Sequence, residues 1–224
     1  MLTAIDHGGE MQVLCRHTPS STGLCMRQST RLSTRMSRGV SRGFTLVELA
    51  ITVAVLAVVL GLSVPLFTGM INGNRLTGNA NELVAAVLIA RSEAIRSNRR
   101  TFLCQSADGA TCSNASPWRG WIVFADANGN NAADAGEAVR AGIIEAPVQV
   151  LASPSVANAN ARITFRADGL AYSGNNLLQG NLRVCLPVTN PALNARDVNI
   201  AIGGRVAVRP PINAAGACNA PGDL

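Results

Sequence analysis

Lysine is absent from the 224 residues, histidine occurs twice and aromatic residues make up only 4%. Without lysine there is no Schiff-base former and no lysine nucleophile. Both histidines, His7 and His17, lie in the first 43 residues. A chain that discards that segment therefore has no histidine base and no histidine-containing metal site. No P-loop, G-x-S-x-G or HExxH pattern occurs, and the scattered serines have no histidine partner, so neither an enzyme nor a cofactor is expected. Charge is scarce as well, at 14%, while 48% of residues are hydrophobic and mean hydropathy is +0.23. That balance excludes a wholly disordered chain and calls for a membrane segment or a sizeable core. The length allows one folded domain with appendages, or two small domains.

The net charge of +6 is unevenly placed. Residues 1–43 hold Arg16, Arg27, Arg31, Arg35, Arg38 and Arg42 against Asp6 and Glu10, and so account for +4 of it. A general nucleic-acid binder is not implied. Of six cysteines, Cys15 and Cys25 fall in the same segment, which leaves Cys104, Cys112, Cys185 and Cys218 as an even set suited to disulfides in an oxidising compartment.

From Phe44 to Phe67 the chain is apolar apart from Thr45, Glu48, Thr52 and Ser63. As a helix these residues reach about 36 Å, enough to cross a hydrocarbon core of roughly 30 Å. Arginines precede the run and the next cation is Arg75, so the positive-inside bias predicts a cytoplasmic N-terminus, a single membrane pass and an exported C-terminal domain. An ordinary secretory signal has small residues after its apolar stretch. Here the punctuation, Arg42-Gly43, comes before it, and Glu48 follows within the apolar run. A carboxylate in that layer calls for a partner. Cleavage after Gly43 would create one in the α-amino group of Phe44 on a neighbouring copy.

The run Gly43-Phe44-Thr45-Leu46-Val47-Glu48 resembles the class III signal of type IV pilins and type II secretion pseudopilins. The resemblance implies cleavage after Gly43 and N-methylation of Phe44 by a prepilin peptidase, with Glu48 as the assembly glutamate. A leader of 43 residues is long for the family. MSRGVSRG from Met36 is closer to its pattern, so translation is expected to begin at Met36 or at Met26. Ala90-Arg91-Ser92-Glu93-Ala94-Ile95 and the run from Trp118 to Asn130 resemble the GspH/FimT family of minor pilins and pseudopilins. The run from Val184 to Cys218 is most similar to FimU-type minor pilins. The implied fold is α+β: a long N-terminal helix, transmembrane in its first half, packed on an antiparallel β-sheet domain. The implied role is a structural subunit of a type IV pilus near its tip. Other pilins or pseudopilins and the assembly machinery would be its partners. A GspH-like secretion pseudopilin and a DNA-binding minor pilin of natural transformation are the alternatives.

The expected organisation is a leader over 1–43, a membrane and filament-core helix over 44–67, its amphipathic second half over 68–100 and a β-rich domain over 101–224. Leu76, Ala80, Leu83, Val84, Val87, Leu88, Ala94 and Ile95 recur at helical spacing after a loosened stretch at 68–74, with a weak point near Pro65 and Gly69. Strands are expected at 101–104, 121–124, 138–144, 148–151, 162–166, 182–186, 198–202 and 205–209, where alternation and turn residues punctuate the chain. They are read as one sheet on the helix.

Three side-chain groups remain. The four later cysteines allow three connectivities, and proximity in sequence favours Cys104 with Cys112 and Cys185 with Cys218. A four-thiolate zinc site lacks the close C-x-x-C pairs it would need. Asp126, Asn128, Asn130, Asp134 and Glu137 fall at positions 1, 3, 5, 9 and 12 of a calcium loop. Asn131 stands where such a loop needs glycine, and the flanks read as strands, so a polar hairpin connection is the leading reading. Arg205 and Arg209 are the candidate DNA contacts. Some FimT-type relatives bind DNA through a Gly-Arg-x-Arg element, but here Gly204-Arg205-Val206 is followed by Ala207.

Overall fold

The computed structural model describes residues 43–224, apart from the side chains at 62 and 64–66. The expected leader, its alternative starts, both histidines, Cys15 and Cys25 lie outside the described residues. One helix, α1, runs unbroken from Leu46 to Ser97 over 52 residues, a length of about 78 Å. The expected loosening at 68–74 is not found, since the backbone stays helical through Pro65, Gly69 and Gly73. A single proline removes one helical hydrogen bond, and each glycine costs only about 1 kcal/mol. A contact from the far end of the chain supports this stretch. Asn72 Nδ2 donates to the carbonyl of Asn190 at 2.9 Å, and a Cβ on Gly69 would stand 2.7 Å from Asn190 Oδ1. The helix ends where Asn98 turns left-handed at φ 52°, a conformation asparagine tolerates better than most residues.

The second half of α1 is buried along a 3–4 seam: Leu76, Ala80, Leu83, Val87, Ala90 and Ala94 are all at most 1% exposed. Leu88 and Ile95, expected on this stripe, are instead 46% and 52% exposed. Each follows a fully buried neighbour, Val87 or Ala94, by about 100° of helix rotation, which carries it past the seam.

Ten strands follow: β1 (Thr101–Gln105), β2 (Gly120–Ala125), β3 (Ala138–Ile143), β4 (Gln149–Ala152), β5 (Arg162–Phe165), β6 (Ala171–Ser173), β7 (Asn176–Leu177), β8 (Gly180–Cys185), β9 (Ala195–Ala201) and β10 (Arg205–Val208). They form two antiparallel sheets rather than one. The first has six strands in the order β3-β2-β1-β5-β6-β7, and the second has four in the order β10-β9-β8-β4. A short helix α2 (Pro154–Ala157) follows β4. Every strand expected from alternation is present. The unexpected pair, β6 and β7, is too short to show a period and is joined by a turn at Gly174 and Asn175.

Inward side chains of both sheets, among them Leu103, Val123, Ile163, Leu182, Val184, Val198 and Ile200, share one core with the α1 seam. Strand β1 is buried on both faces. Its outward residues Phe102 and Cys104 join Ile122 and Phe124 in a second apolar cluster, against which Cys112 and Ala133 pack. The loops 106–113 and 126–137 thus shelter a face that water would otherwise reach. Glycine is required at 120, where a Cβ would come within 2.6 Å of the Gly142 carbonyl and 2.8 Å of the Ser106 carbonyl.

Candidate functional site

The residues expected to carry processing and assembly lie at the start of the described chain. Gly43 precedes α1 and a Cβ there would meet nothing within 4 Å. Phe44 is 80% exposed, and Glu48 stands in the first turn of α1, where the helix dipole favours a carboxylate. Beyond it, Leu49, Ile51, Val53, Val55, Leu56, Val58, Val59 and Leu60 are all exposed. Among the described residues no helix is long and apolar enough to cross a membrane. Four side chains inside the expected span, at 62 and 64–66, lie outside the described residues.

The cysteines pair as sequence proximity favours. Cys104 bonds Cys112 and Cys185 bonds Cys218, each pair with Cα atoms 5.7 Å apart. The first closes the 106–113 loop, which Asp108 organises from within. Its Oδ1 accepts from the backbone N–H groups of Thr111 (2.8 Å) and Ala110 (2.9 Å), and its Oδ2 from Thr111 Oγ1 (2.7 Å). These donors hold the Asp108 carboxyl far below the usual carboxylate range.

The second disulfide starts a strap. Beyond Cys218, Arg183 Nη1 donates to the Asn219 carbonyl, Asn181 Nδ2 to the Gly222 carbonyl, and Ser155 N–H to Asp223 Oδ1. The C-terminal residues are thereby laid across the outer face of the four-stranded sheet. Under them Arg183 and Asp197, directly opposed in the β8–β9 register, form a bidentate pair at 2.7 and 2.8 Å. The hydrogen bond that Arg183 donates to Asp197 raises the Arg183 pKa, and burial acts in the opposite direction.

The five residues at calcium-loop positions are drawn together, but largely onto the loop itself. Asp126 Oδ1 accepts from Gly129 N–H (2.7 Å) and its Oδ2 from Asn131 N–H (3.2 Å). Asn128 and Asn130 both donate to Asp134 Oδ2 at 2.7 Å. Glu137 accepts from Ala127 N–H at 2.7 Å. Among the described residues no group of three or more histidine, cysteine or acidic side chains is arranged to hold a metal ion. The geometry is that of a self-satisfied polar connection between β2 and β3.

Arg205 and Arg209 separate in environment. Arg205 is exposed at the start of β10, an open sheet edge. Arg209 lies about 13 Å further along the strand direction. With the Asn199 amide oriented so that its oxygen faces Arg209, it accepts from Arg209 Nε (2.5 Å) and Nη2 (3.0 Å) and donates to Asn181 Oδ1 (2.6 Å). Arg209 is thus tied into the network beneath the strap, and the two arginines do not form one clamp.

Sequence reading did not find the Arg183–Asp197 pair, the strap or an arginine cluster on the six-stranded sheet. The pair is 14 residues apart and meets only through strand register, for which the isolated residues carry no signal.

A long helix whose second half packs on two antiparallel sheets, stapled by two disulfides, defines a pilin-like subunit. The family model described as Type II transport protein GspH matches residues 79–204, and the chain belongs to that family of minor pilins and pseudopilins. The prokaryotic N-terminal methylation motif matches residues 38–64, a span that contains Gly43, Phe44 and Glu48. Among solved structures the chain is similar to the type IV minor pilin FimU of Pseudomonas aeruginosa strain PAO1, at 21% identity and a TM-score of 0.45, over 61% of this chain and 90% of that one. It is similar also to the minor pseudopilin EpsH of the Vibrio cholerae Type 2 Secretion System, at 10% identity and a TM-score of 0.42, over 60% of this chain and 96% of that one. No curated protein matches it.

Proposed function

We propose that the chain is a non-enzymatic minor pilin, cut after Gly43 and N-methylated at Phe44 by a prepilin peptidase. Phe44 to Phe67 would anchor it in the inner membrane with the β-rich domain on the periplasmic side, and then pack inside a type IV pilus, near the tip. The observation that carries this reading is the contrast within α1. Residues 49–60 expose leucine, valine and isoleucine on every side, whereas Leu76 to Ala94 bury one stripe against the chain's own sheets. Apolar surface exposed all round a helix requires lipid or other subunits to cover it. Glu48 would neutralise the α-amine of Phe44 on an adjacent subunit. Glu48→Ala should leave membrane insertion intact and abolish most incorporation into sheared filaments. Normal incorporation of that variant would remove the pairing.

A type II secretion pseudopilin shares this architecture and differs in the machine it joins. The FimU-like run from Val184 to Cys218, which here takes in the end of β8, all of β9 and β10 and the start of the strap, favours the pilus. Deletion of the gene decides between them: lost twitching motility with intact exoprotein secretion is expected, and the reverse would assign the chain to the secretion apparatus.

A further inference from the structure

On the six-stranded sheet, the face turned away from α1 carries a cleft of about 450 Å³ lined by Arg100, Arg162 and Arg166, with asparagine side chains at its rim and, among the described residues, no carboxylate in its walls. The period of two explains how these cations meet. In the β1–β5 register Phe102 faces Thr164 and Cys104 faces Arg162, so Arg162 and Arg166 share the outward side with Arg100 and Phe102.

Two of the guanidinium groups are fixed by their surroundings. Arg162 lies over the Phe102 ring at 5.0 Å from its centroid, and its Nη1 donates to the Asn131 carbonyl at 2.7 Å. Its Nε is buried without a hydrogen-bond partner among the described residues. Arg166 lies 3.8 Å over the Tyr172 ring. Stacking of this kind occupies the flat faces of a guanidinium and leaves its N–H edge to meet a ligand. Loss of side-chain freedom on binding is correspondingly small.

We propose that this cleft binds a phosphate dianion, held by Arg100, Arg162 and Arg166. The lining selects that class. Asp126 acts on Arg162 and Asp168 accepts from the hydroxyl of the Tyr172 ring under Arg166, but neither acid lines the cleft, whereas three guanidinium groups do. Three arginine forks on one cleft match a phosphomonoester or pyrophosphate better than a carboxylate, which carries one charge and saturates one fork. A polar asparagine rim disfavours an apolar ligand. The phosphate can be free or can terminate a larger molecule.

The test is a calorimetric titration of the full-length chain in detergent micelles with pyrophosphate at low salt. Saturable binding tighter than about 1 mM is expected, weakened at least about tenfold by Arg162→Gln and by Arg166→Gln and unchanged by Arg205→Gln. Because Arg162 also holds Asn131, Arg100→Gln and Arg166→Gln serve as the deciding variants, with near-ultraviolet dichroism to confirm their folding. Acetate should not compete. Competition by an oligonucleotide with a 5′-phosphate, but not by its 5′-hydroxyl counterpart, would assign a terminal phosphate. Competition by neither would assign the free anion, and both results keep the site. Absence of saturable binding up to about 10 mM, or equal binding in folded Arg100→Gln and Arg166→Gln variants, would overturn it.

Discussion

The two halves of α1 are built from the same kinds of residue and do opposite things with them. Leu56 is 57% exposed and Leu83 is 1% exposed, although both sit in one unbroken helix. What separates them is the presence of two sheets beside the second. In the first half apolar side chains at 49–60 point in all directions and nothing among the described residues covers them. In the second half apolar residues are confined to one seam, and the chain's own β-sheets complete the burial. A helix can thus bury one half in a domain core and leave the apolar surface of the other half uncovered, with the boundary set by where the apolar pattern narrows from a cylinder to a stripe.

The contrast can be broken most directly at Leu83. Leu83→Ala should cost about 3 kcal/mol of domain stability, because its neighbours cannot collapse into the space left, and thermal or denaturant unfolding would measure it. A cost below about 1 kcal/mol would mean that the seam is looser than its burial indicates. Away from the helix, Arg183→Ala strands Asp197 beneath the C-terminal strap and should cost about 2 kcal/mol, checked by the same unfolding curves. At the junction between the halves, Asn72→Ala removes the donor to the Asn190 carbonyl and should cost about 0.5 kcal/mol. Leu56→Ala should change unfolding by less than about 0.5 kcal/mol, yet lower incorporation into filaments. Equal losses of stability at positions 56 and 83 would erase the distinction.

Acid provides a finer probe of the globular region. Asp108 has a lowered folded-state pKa because Thr111 N–H, then Ala110 N–H and the hydroxyls of Thr111 and Ser106, favour its charged form. A depressed carboxyl stabilises the fold fully above its unfolded-state value, near about 4, and loses that contribution as pH falls through the folded value. Hydrogen-exchange protection of Ala110 and Thr111 should therefore survive at neutral pH and decline in strong acid. Asp108→Asn should remove that pH dependence while the Cys104–Cys112 bond remains. Unaltered acid sensitivity in the variant would place its source elsewhere.

Much of this architecture is local and is legible as such. The apolar run from Phe44, Glu48 within it, the seam through Leu76, Ala80, Leu83 and Val87, and the alternating strands all express side-chain periods of 3.6 or 2. The Cys104–Cys112 pair is legible for a similar reason, since the two residues are eight apart. Leu88 and Ile95 were misplaced because apolar identity alone does not say where a seam ends. The split into two sheets was invisible because alternation marks the faces of a strand and says nothing of its neighbours. Strands β6 and β7 were too short to show any period.

Sequence alone therefore determined the elements that repeat over neighbouring residues: a long helix with an apolar start, a β-rich domain and an even set of cysteines. Tertiary structure alone decided which distant residues meet. It set Arg183 against Asp197, drew Arg209 under the strap, turned the Asp126–Glu137 loop onto its own backbone and gathered Arg100, Arg162 and Arg166 at one cleft. Periodicity is a property of consecutive positions, whereas these contacts depend on strand order and register, which are fixed only when the whole core closes at once.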